Sequence, residues 1–186
     1  MPYLYVFRHG ESTDNINEIF SGGRDSKLAP QGITSARLLA KKLKNRKIGL
    51  AFSSDQSRAL DTLKAVLKYH KEVPVIVDAR LRERDYGNIT GMRKDVFMKK
   101  NKKLYEIYHR SFTKGPPGGE SFKMVLKRVN PFIKDLIAIM KAWNVNVAIS
   151  AHGNSIRPIR KYFEKLSIHE MRTMENGHDV IWSYRV

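Results

Sequence analysis

The feature that most constrains this chain is the alternation of short apolar runs with longer amphipathic stretches. Tyr3–Phe7 (YLYVF), Ile48–Phe52 (IGLAF), Val73–Val77 (VPVIV) and Val145–Ile149 (VNVAI) read as strands. Three of them are nearly continuous hydrophobics, as suits strands covered on both faces of a parallel sheet. A fifth run, Val180–Tyr184 (VIWSY), reads as an edge strand. Between the strands the apolar period becomes helical. Pro30 opens a helix with Ile33, Ala36, Leu39, Ala40 and Leu43 as its stripe. Asp55 is expected to cap a second, with Leu60, Leu63, Val66 and Leu67 facing inward. Residues 92–112 look helical, with a basic, aromatic-rich face. After the breaker KGPPGG (114–119) an amphipathic segment runs from about Glu120 to Trp143, with Pro131 expected to kink or interrupt it. This pattern predicts one domain over residues 1–186, a three-layer α/β/α sandwich with a mostly parallel sheet and right-handed crossovers.

In such sheets ligands bind beyond the carboxyl ends of the strands. The chemically notable residues all fall there. Arg8 and His9 follow the first strand, Ser53 to Arg58 the second, Arg82 and Glu83 the third, and His152 the fourth. Four strand ends converging on one rim mark it as the expected site.

Composition narrows the class. There is no cysteine, so no disulfide, thiolate zinc site or cysteine nucleophile is available. No apolar stretch approaches the roughly 18 to 20 residues of a membrane span. The N-terminus MPYLYVFRHG has neither a basic leader region nor a small-residue cleavage site, and a cytoplasmic enzyme is the expectation. The 35 Lys and Arg against 18 Asp and Glu give a net charge of +17. That balance fits nucleic-acid binding, an enzyme for a polyanionic small molecule, or a solvated basic surface. The runs KKLKNRK (41–47) and KKNKK (99–103) sit at or near expected helix ends, where cations suit the helix dipole. No aromatic stacking pattern is interleaved with them, so any nucleic-acid affinity is expected to be nonspecific.

Six histidines are present, at 9, 70, 109, 152, 169 and 178. His70 reads as a surface residue at a helix end, and His169 and His178 as structural. His109, among Tyr105, Tyr108 and Arg110, is a candidate substrate contact. His9 and His152 share a strand–His–Gly context, FRHG and SAHG, which points to one shared site. Neither HExxH nor HxH spacing occurs, and the arginines beside the histidines disfavour a cation, so no metal is expected. The phosphate loop GxxxxGK[ST] and the nucleophile elbow GxSxG are also absent.

What remains is two histidines, at least two arginines and one carboxylate. Arginine offers a planar, permanently charged fork matched to phosphate oxygens. A neutral imidazole can attack phosphorus in line and carry the phosphoryl group. A carboxylic acid can protonate the leaving alkoxide and later deprotonate the acceptor. Phosphoryl transfer through a phosphohistidine uses all five residues without a metal.

The motifs RHGESTDN, FSGGRDSKLAPQG, SSDQSRALDT, LRERDYGNITG, PPGGES and AHGNSIR follow one another from Tyr3 to about Arg157. In this order the sequence resembles the histidine phosphatase superfamily, and more closely its cofactor-dependent phosphoglycerate mutase branch. The resemblance implies that His9 is the nucleophile, Arg8 and Arg58 phosphate-binding arginines, Glu83 the general acid/base, and His152 a second holder of the phosphoryl group. It places Asn15, Ser21 and Gly22 at phosphate or substrate contacts, with Asn154 of AHGNSIR beside them. ERDYGNITGMRKD resembles a mutase segment that sets Tyr86 and Lys94 against the substrate carboxylate or second phosphate. YHRSF (108–112) resembles the mutase stretch W-R-R-x-F, with Arg110 retained and His109 in place of the other arginine.

The implied activity is interconversion of 2- and 3-phosphoglycerate primed by 2,3-bisphosphoglycerate, on a small phosphorylated substrate and without a metal. The alternatives are a phosphatase of small phosphomonoesters such as sugar phosphates and, more remotely, a basic nucleic-acid-binding protein with a vestigial site. Two departures from the mutase pattern bear on that choice. The longer insertion that usually follows the double proline is missing from PPGGES, and no tail beyond Val186 is present to close over the site. Both are expected to admit water and shift the balance toward hydrolysis.

Overall fold

The computed structural model describes residues 1–186. Five strands, β1 (Tyr3–Arg8), β2 (Leu50–Ser53), β3 (Val75–Val77), β4 (Val147–Ala151) and β5 (Ile181–Arg185), form one sheet in the order β3-β2-β4-β1-β5. β1 to β4 pair in parallel and β5 runs antiparallel to β1, with Val6 opposite both Ile149 and Trp182. Eight helices accompany them: α1 (Thr13–Ile16), α2 (Pro30–Leu43), α3 (Ser57–Val66), α4 (Lys94–Lys100), α5 (Lys102–Arg110), α6 (Phe122–Trp143), α7 (Gly153–Glu164) and α8 (Ile168–Thr173). No helix is long and apolar enough to cross a membrane.

Side-chain alternation along the strands feeds two cores. Leu4 and Val6 of β1, Phe52 of β2 and Val147 and Ile149 of β4 pack on Val129, Phe132, Leu136 and Met140 of α6 and Ile156 and Ile159 of α7. The opposite face gives Tyr5, Phe7, Ala51 and Ala148 to Leu39 and Leu43 of α2 and Leu63 and Val66 of α3. The expected three-layer sandwich is therefore the observed one. A third cluster, Phe20, Tyr86 and Ile89, is covered by Phe97, Tyr105 and Tyr108 and carries α4 and α5 over the strand ends.

Several local expectations need correction. The run at 73–77 is not a doubly covered strand: β3 has three residues at the sheet edge, with Val75, Ile76 and Val77 40–50% exposed. Burial requires a neighbouring layer, and composition alone does not supply one. Gln56, not Asp55, stands at the N-cap of α3, because the Asp55 carboxylate is taken by Arg82. Ile33 is exposed and Gly32 faces inward in its place. The helical stretch at 92–112 splits at Asn101 into α4 and α5. Pro131 stays inside an unbroken α6 because it is solvent-facing, as is Lys127, whose carbonyl loses its helical donor to the ring.

Candidate active site

β1 ends on Arg8, and the backbone turns at once. Gly10 makes that turn possible: a Cβ there would lie 2.2 Å from the Gly32 carbonyl oxygen in the first turn of α2. The reciprocal position is as tight, since a Cβ on Gly32 would lie 2.0 Å from the Glu11 carbonyl oxygen. The Gly10 N–H donates to Thr62 Oγ1 (2.9 Å), and that hydroxyl donates to the Arg58 carbonyl (2.7 Å). The loop after β1 is thus seated on α2 and α3 by backbone contact and one buried hydroxyl.

His9 lies between these supports, 1% exposed. Its Nδ1 pairs with the Gly10 carbonyl at 2.7 Å, so Nδ1 carries the proton and Nε2 keeps its lone pair. Burial first, then the charges of His152, Arg8 and Arg58, hold the ring well below the usual histidine range. The imidazole is therefore neutral at neutral pH. The His152 ring centroid is 4.9 Å away. Its Nε2 pairs with Ser54 Oγ (2.7 Å), which also accepts the Gln56 N–H (3.3 Å). With the Ser54 hydroxyl proton directed to Nε2, the His152 Nδ1–H is a buried donor with no partner.

The arginines are as firmly placed. Arg58, 1% exposed, donates to the carbonyls of Arg24 (2.6 Å) and Gly22 (3.2 Å). Arg8 donates through Nη1 to the Asn176 carbonyl (2.9 Å), while its Nε is buried without a partner. Glu83 sits at the N-terminus of α7. Its Oε1 accepts the N–H groups of Arg84 (2.7 Å) and Asn154 (3.1 Å), leaving Oε2 unbonded. A helix N-terminus favours a carboxylate at that place.

Beside these groups opens a cavity of about 300 Å³. Of the sequence-derived residues, Arg8, Asn15, Ser21, Gly22, Glu83, Tyr86, Lys94, Arg110 and Asn154 line it, whereas His9, Arg58 and His152 are buried and do not belong to its lining. Tyr86 both packs on Phe20, 4.9 Å between centroids, and accepts Asn154 Nδ2 at 3.2 Å through its hydroxyl. Asn15 spends its Oδ1 on capping α1 through Ser12. Lys94 has no ion-pair partner, and burial followed by the Arg8 charge lowers its pKa. Arg110 is paired with Glu175 (2.9 Å). His109 also lines the cavity, and burial with the Arg110 charge brings it down to about 4. His178, read from the sequence as structural, lies beside the site: its Nδ1 donates to the His9 carbonyl at 2.6 Å.

Four contributors escaped sequence reasoning. Gln56 donates to the Gly22 carbonyl (2.9 Å) and accepts the Glu83 N–H (2.8 Å), tying the loop that carries Ser21 and Gly22 to Glu83. Arg157 lines the cavity with its Nε buried and unpartnered. Its position three residues after Asn154 puts both on one face of α7, a signal that was available. Glu175 and Asn176 lie in a loop without periodicity and carried no signal. No group of three or more His, Cys, Asp or Glu side chains is arranged to hold a metal ion.

Buried, unpartnered N–H donors around neutral histidines are explained by an anion that completes them. The fold and this cationic, histidine-centred rim define an α/β enzyme of the phosphotransferase and phosphatase class. Residues 4–183 match the model of the histidine phosphatase superfamily (branch 1), and the chain belongs to that superfamily. It is 36% identical over 169 residues to a 2,3-bisphosphoglycerate-dependent phosphoglycerate mutase of Cytophaga hutchinsonii, covering 90% of this chain and 79% of that one. A protein of the same name from Parvibaculum lavamentivorans is 37% identical over 173 residues, covering 90% and 82%. Among solved structures it is similar to a mycobacterial glucosyl-3-phosphoglycerate phosphatase in complex with VO3. The TM-score is 0.86 at 27% identity, over 98% of this chain and 92% of that one.

Proposed function

We propose that this enzyme transfers phosphoryl groups through a phosphohistidine on His9 Nε2, and that it interconverts 2- and 3-phosphoglycerate. The observation that carries the reading is a neutral His9 with a fixed tautomer, set between buried donors that lack partners. Nε2 attacks phosphorus in line as the bond to the leaving oxygen breaks. Arg8 Nε, Arg58 and His152 Nδ1 face the charge on the equatorial oxygens, where preorganised donors count most. Glu83, through the unbonded Oε2, gives its proton to the leaving oxygen and takes one back from the acceptor in the return step. Guanidinium groups supply the cationic charge, so the steps need no metal.

A 2,3-bisphosphoglycerate primer fits the donor set. The unpartnered Arg8 Nε and His152 Nδ1 would hold the phosphoryl group being transferred. Lys94, Arg110 and Arg157 would meet the remaining anionic groups. When bound, the primer supplies the phosphoryl group that loads His9.

One observation favours hydrolysis as a second reading. The PPGG turn closes on itself through Gly119 N–H to the Pro116 carbonyl (2.9 Å) and packs against Gly87, whose Cβ would lie 2.1 Å from the Pro117 oxygen. It leads straight into α6 and lays no insertion over the cavity, so water has a path to the phosphohistidine. A coupled assay for 2-phosphoglycerate, with and without primer, run beside a measurement of inorganic phosphate, decides between the two. Primer-dependent 2-phosphoglycerate formation supports the mutase; phosphate release without it supports the phosphatase. Rapid-quench labelling should give an acid-labile, base-stable phosphoprotein, and labelling that survives in His9→Ala would overturn both.

A further inference from the structure

Arg110 is not a free cation. Its Nη2 holds Glu175 Oε1 at 2.9 Å, and its Nη1 donates to the Arg172 carbonyl at 2.7 Å. Arg172 returns a bond from Nη1 to the Arg110 carbonyl at 2.8 Å. The guanidinium is therefore clamped onto the stretch from 172 to 175. The Glu175 side chain, by contrast, is 78% exposed and reaches into the cavity from a loop. It can swing away without disturbing the core. A carboxylate against a guanidinium is also the contact that the carboxylate of a phosphoglycerate would make.

Each of the other acidic side chains lining the cavity stands elsewhere. Glu83 is held by two backbone N–H groups at α7. Glu18 follows α1 in a left-handed backbone conformation (φ 50°), and its carbonyl accepts the Lys94 N–H at 2.7 Å. Glu175 alone is paired with a cation proposed to receive substrate.

We propose that Glu175 is a specificity-determining residue: its carboxylate occupies the seat on Arg110 that the distal anion of a substrate must take. This rests on the reading that Lys94, Arg110 and Arg157 meet the anionic groups of a phosphoglycerate other than the transferred phosphoryl group. An anionic tail binds only by displacing Glu175, whereas a phosphomonoester with an uncharged, hydroxylated tail leaves the pair intact. The exchange narrows the preference for phosphoglycerates over neutral-tailed phosphomonoesters and sets where this site stands between the two classes.

The test compares 3-phosphoglycerate with glycerol 3-phosphate, which keeps the phosphate and carbon skeleton but has a hydroxymethyl group in place of the carboxylate. Binding is measured by calorimetry on the full chain in a His9→Ala background, where no turnover intervenes. Glu175→Gln removes the competing charge from an exposed position and should tighten 3-phosphoglycerate about three- to five-fold relative to glycerol 3-phosphate. Arg110→Gln should weaken 3-phosphoglycerate selectively, and in that variant Glu175→Gln should have no further selective effect. Equal tightening of both ligands, or of neither, while Arg110→Gln remains selective, overturns the role of Glu175 and leaves the carboxylate seat standing. No selectivity from Arg110→Gln removes the seat itself, and with it the proposal. In the His9-bearing enzyme Glu175→Gln should lower KM for 3-phosphoglycerate relative to KM for glycerol 3-phosphate; a loss confined to kcat would mean a different role and overturn it.

Discussion

Glu83→Gln is the perturbation whose outcome the geometry defines most closely. Glu83 Oε1 accepts both backbone N–H groups, from Arg84 and Asn154, and Oε2 is unbonded. A glutamine can keep its carbonyl oxygen at the first position and set its amide nitrogen at the second. No hydrogen bond need be lost, but Arg8 and the buried Arg58 lose the carboxylate that faces them, so stability should fall by about 1 kcal/mol. Glutamine is a neutral mimic of the protonated acid that the proposed first step requires, so phosphate binding should be kept. KM should therefore hold, and the loss should appear in kcat. An alkoxide leaving group needs a proton in the transition state, and removal of a general acid costs about 10²- to 10⁴-fold. That corresponds to roughly 3 to 5 kcal/mol of barrier. An activated aryl phosphate leaves as a stable anion and should lose less than about ten-fold. The assay is a series of phosphomonoesters of graded leaving-group acidity, with kcat and KM measured separately for wild type and variant. Equal losses across the series would refute the proton-transfer role and make Glu83 a positioning residue.

Three further outcomes follow from the same contacts. Thr62→Val leaves the buried Gly10 N–H without its acceptor and should cost about 1–3 kcal/mol, read as a lower urea midpoint at constant slope, whereas Thr62→Ser keeps the bond. A valine variant as stable as wild type would refute that seating. Gly10→Ala drives a Cβ to within 2.2 Å of the Gly32 oxygen and should cost at least about 3 kcal/mol; a native melting temperature would contradict the packing. Stability should also fall as pH drops from 6.5 toward 4. Burial first, with neighbouring cations second in part, holds His9 and His152 well below the usual value of 6.5, and brings His109 and His178 to about 4. Below 6.5 the unfolded chain binds protons that the folded one refuses, up to about 1.4 kcal/mol per pH unit for each ring; above it all are neutral in both states. A urea midpoint that stays flat between pH 7 and 4.5 would show that these rings are not buried as described.

What could be read in advance follows from what a linear pattern encodes. The apolar runs that became β1, β2 and β4 are buried between two layers, so their composition is also their environment. The run at β3 has the same composition at the sheet edge, and nothing local distinguishes the two cases. Asp55 offered the right side chain for a cap, but Arg82, distant in sequence, claimed it. The gathering of Arg8, His9, Arg58, Glu83 and His152 was legible because each lies at or beyond the end of a strand that the sheet brings to one rim. Gln56, Glu175 and Asn176 were not, because their partners are loop atoms whose positions exist only after the chain has closed.

The contact between Gly10 and Gly32 has a mechanical meaning. A side-chain contact can relax through a change of rotamer, but two backbones in contact have no such slack. The loop bearing His9 therefore moves with α2, a rod of about 21 Å for its 14 residues. α2 is in turn packed on α3, which carries Arg58 and Thr62. His9, the proposed nucleophile, and Arg58 ride on one solid block, whereas Lys94, Arg110 and Glu175 hang on the separate α4–α5 cover and the loop after α8. Inheritance or engineering can remodel that cover to change the substrate without retuning the block, much as a tool head is exchanged on a fixed shaft.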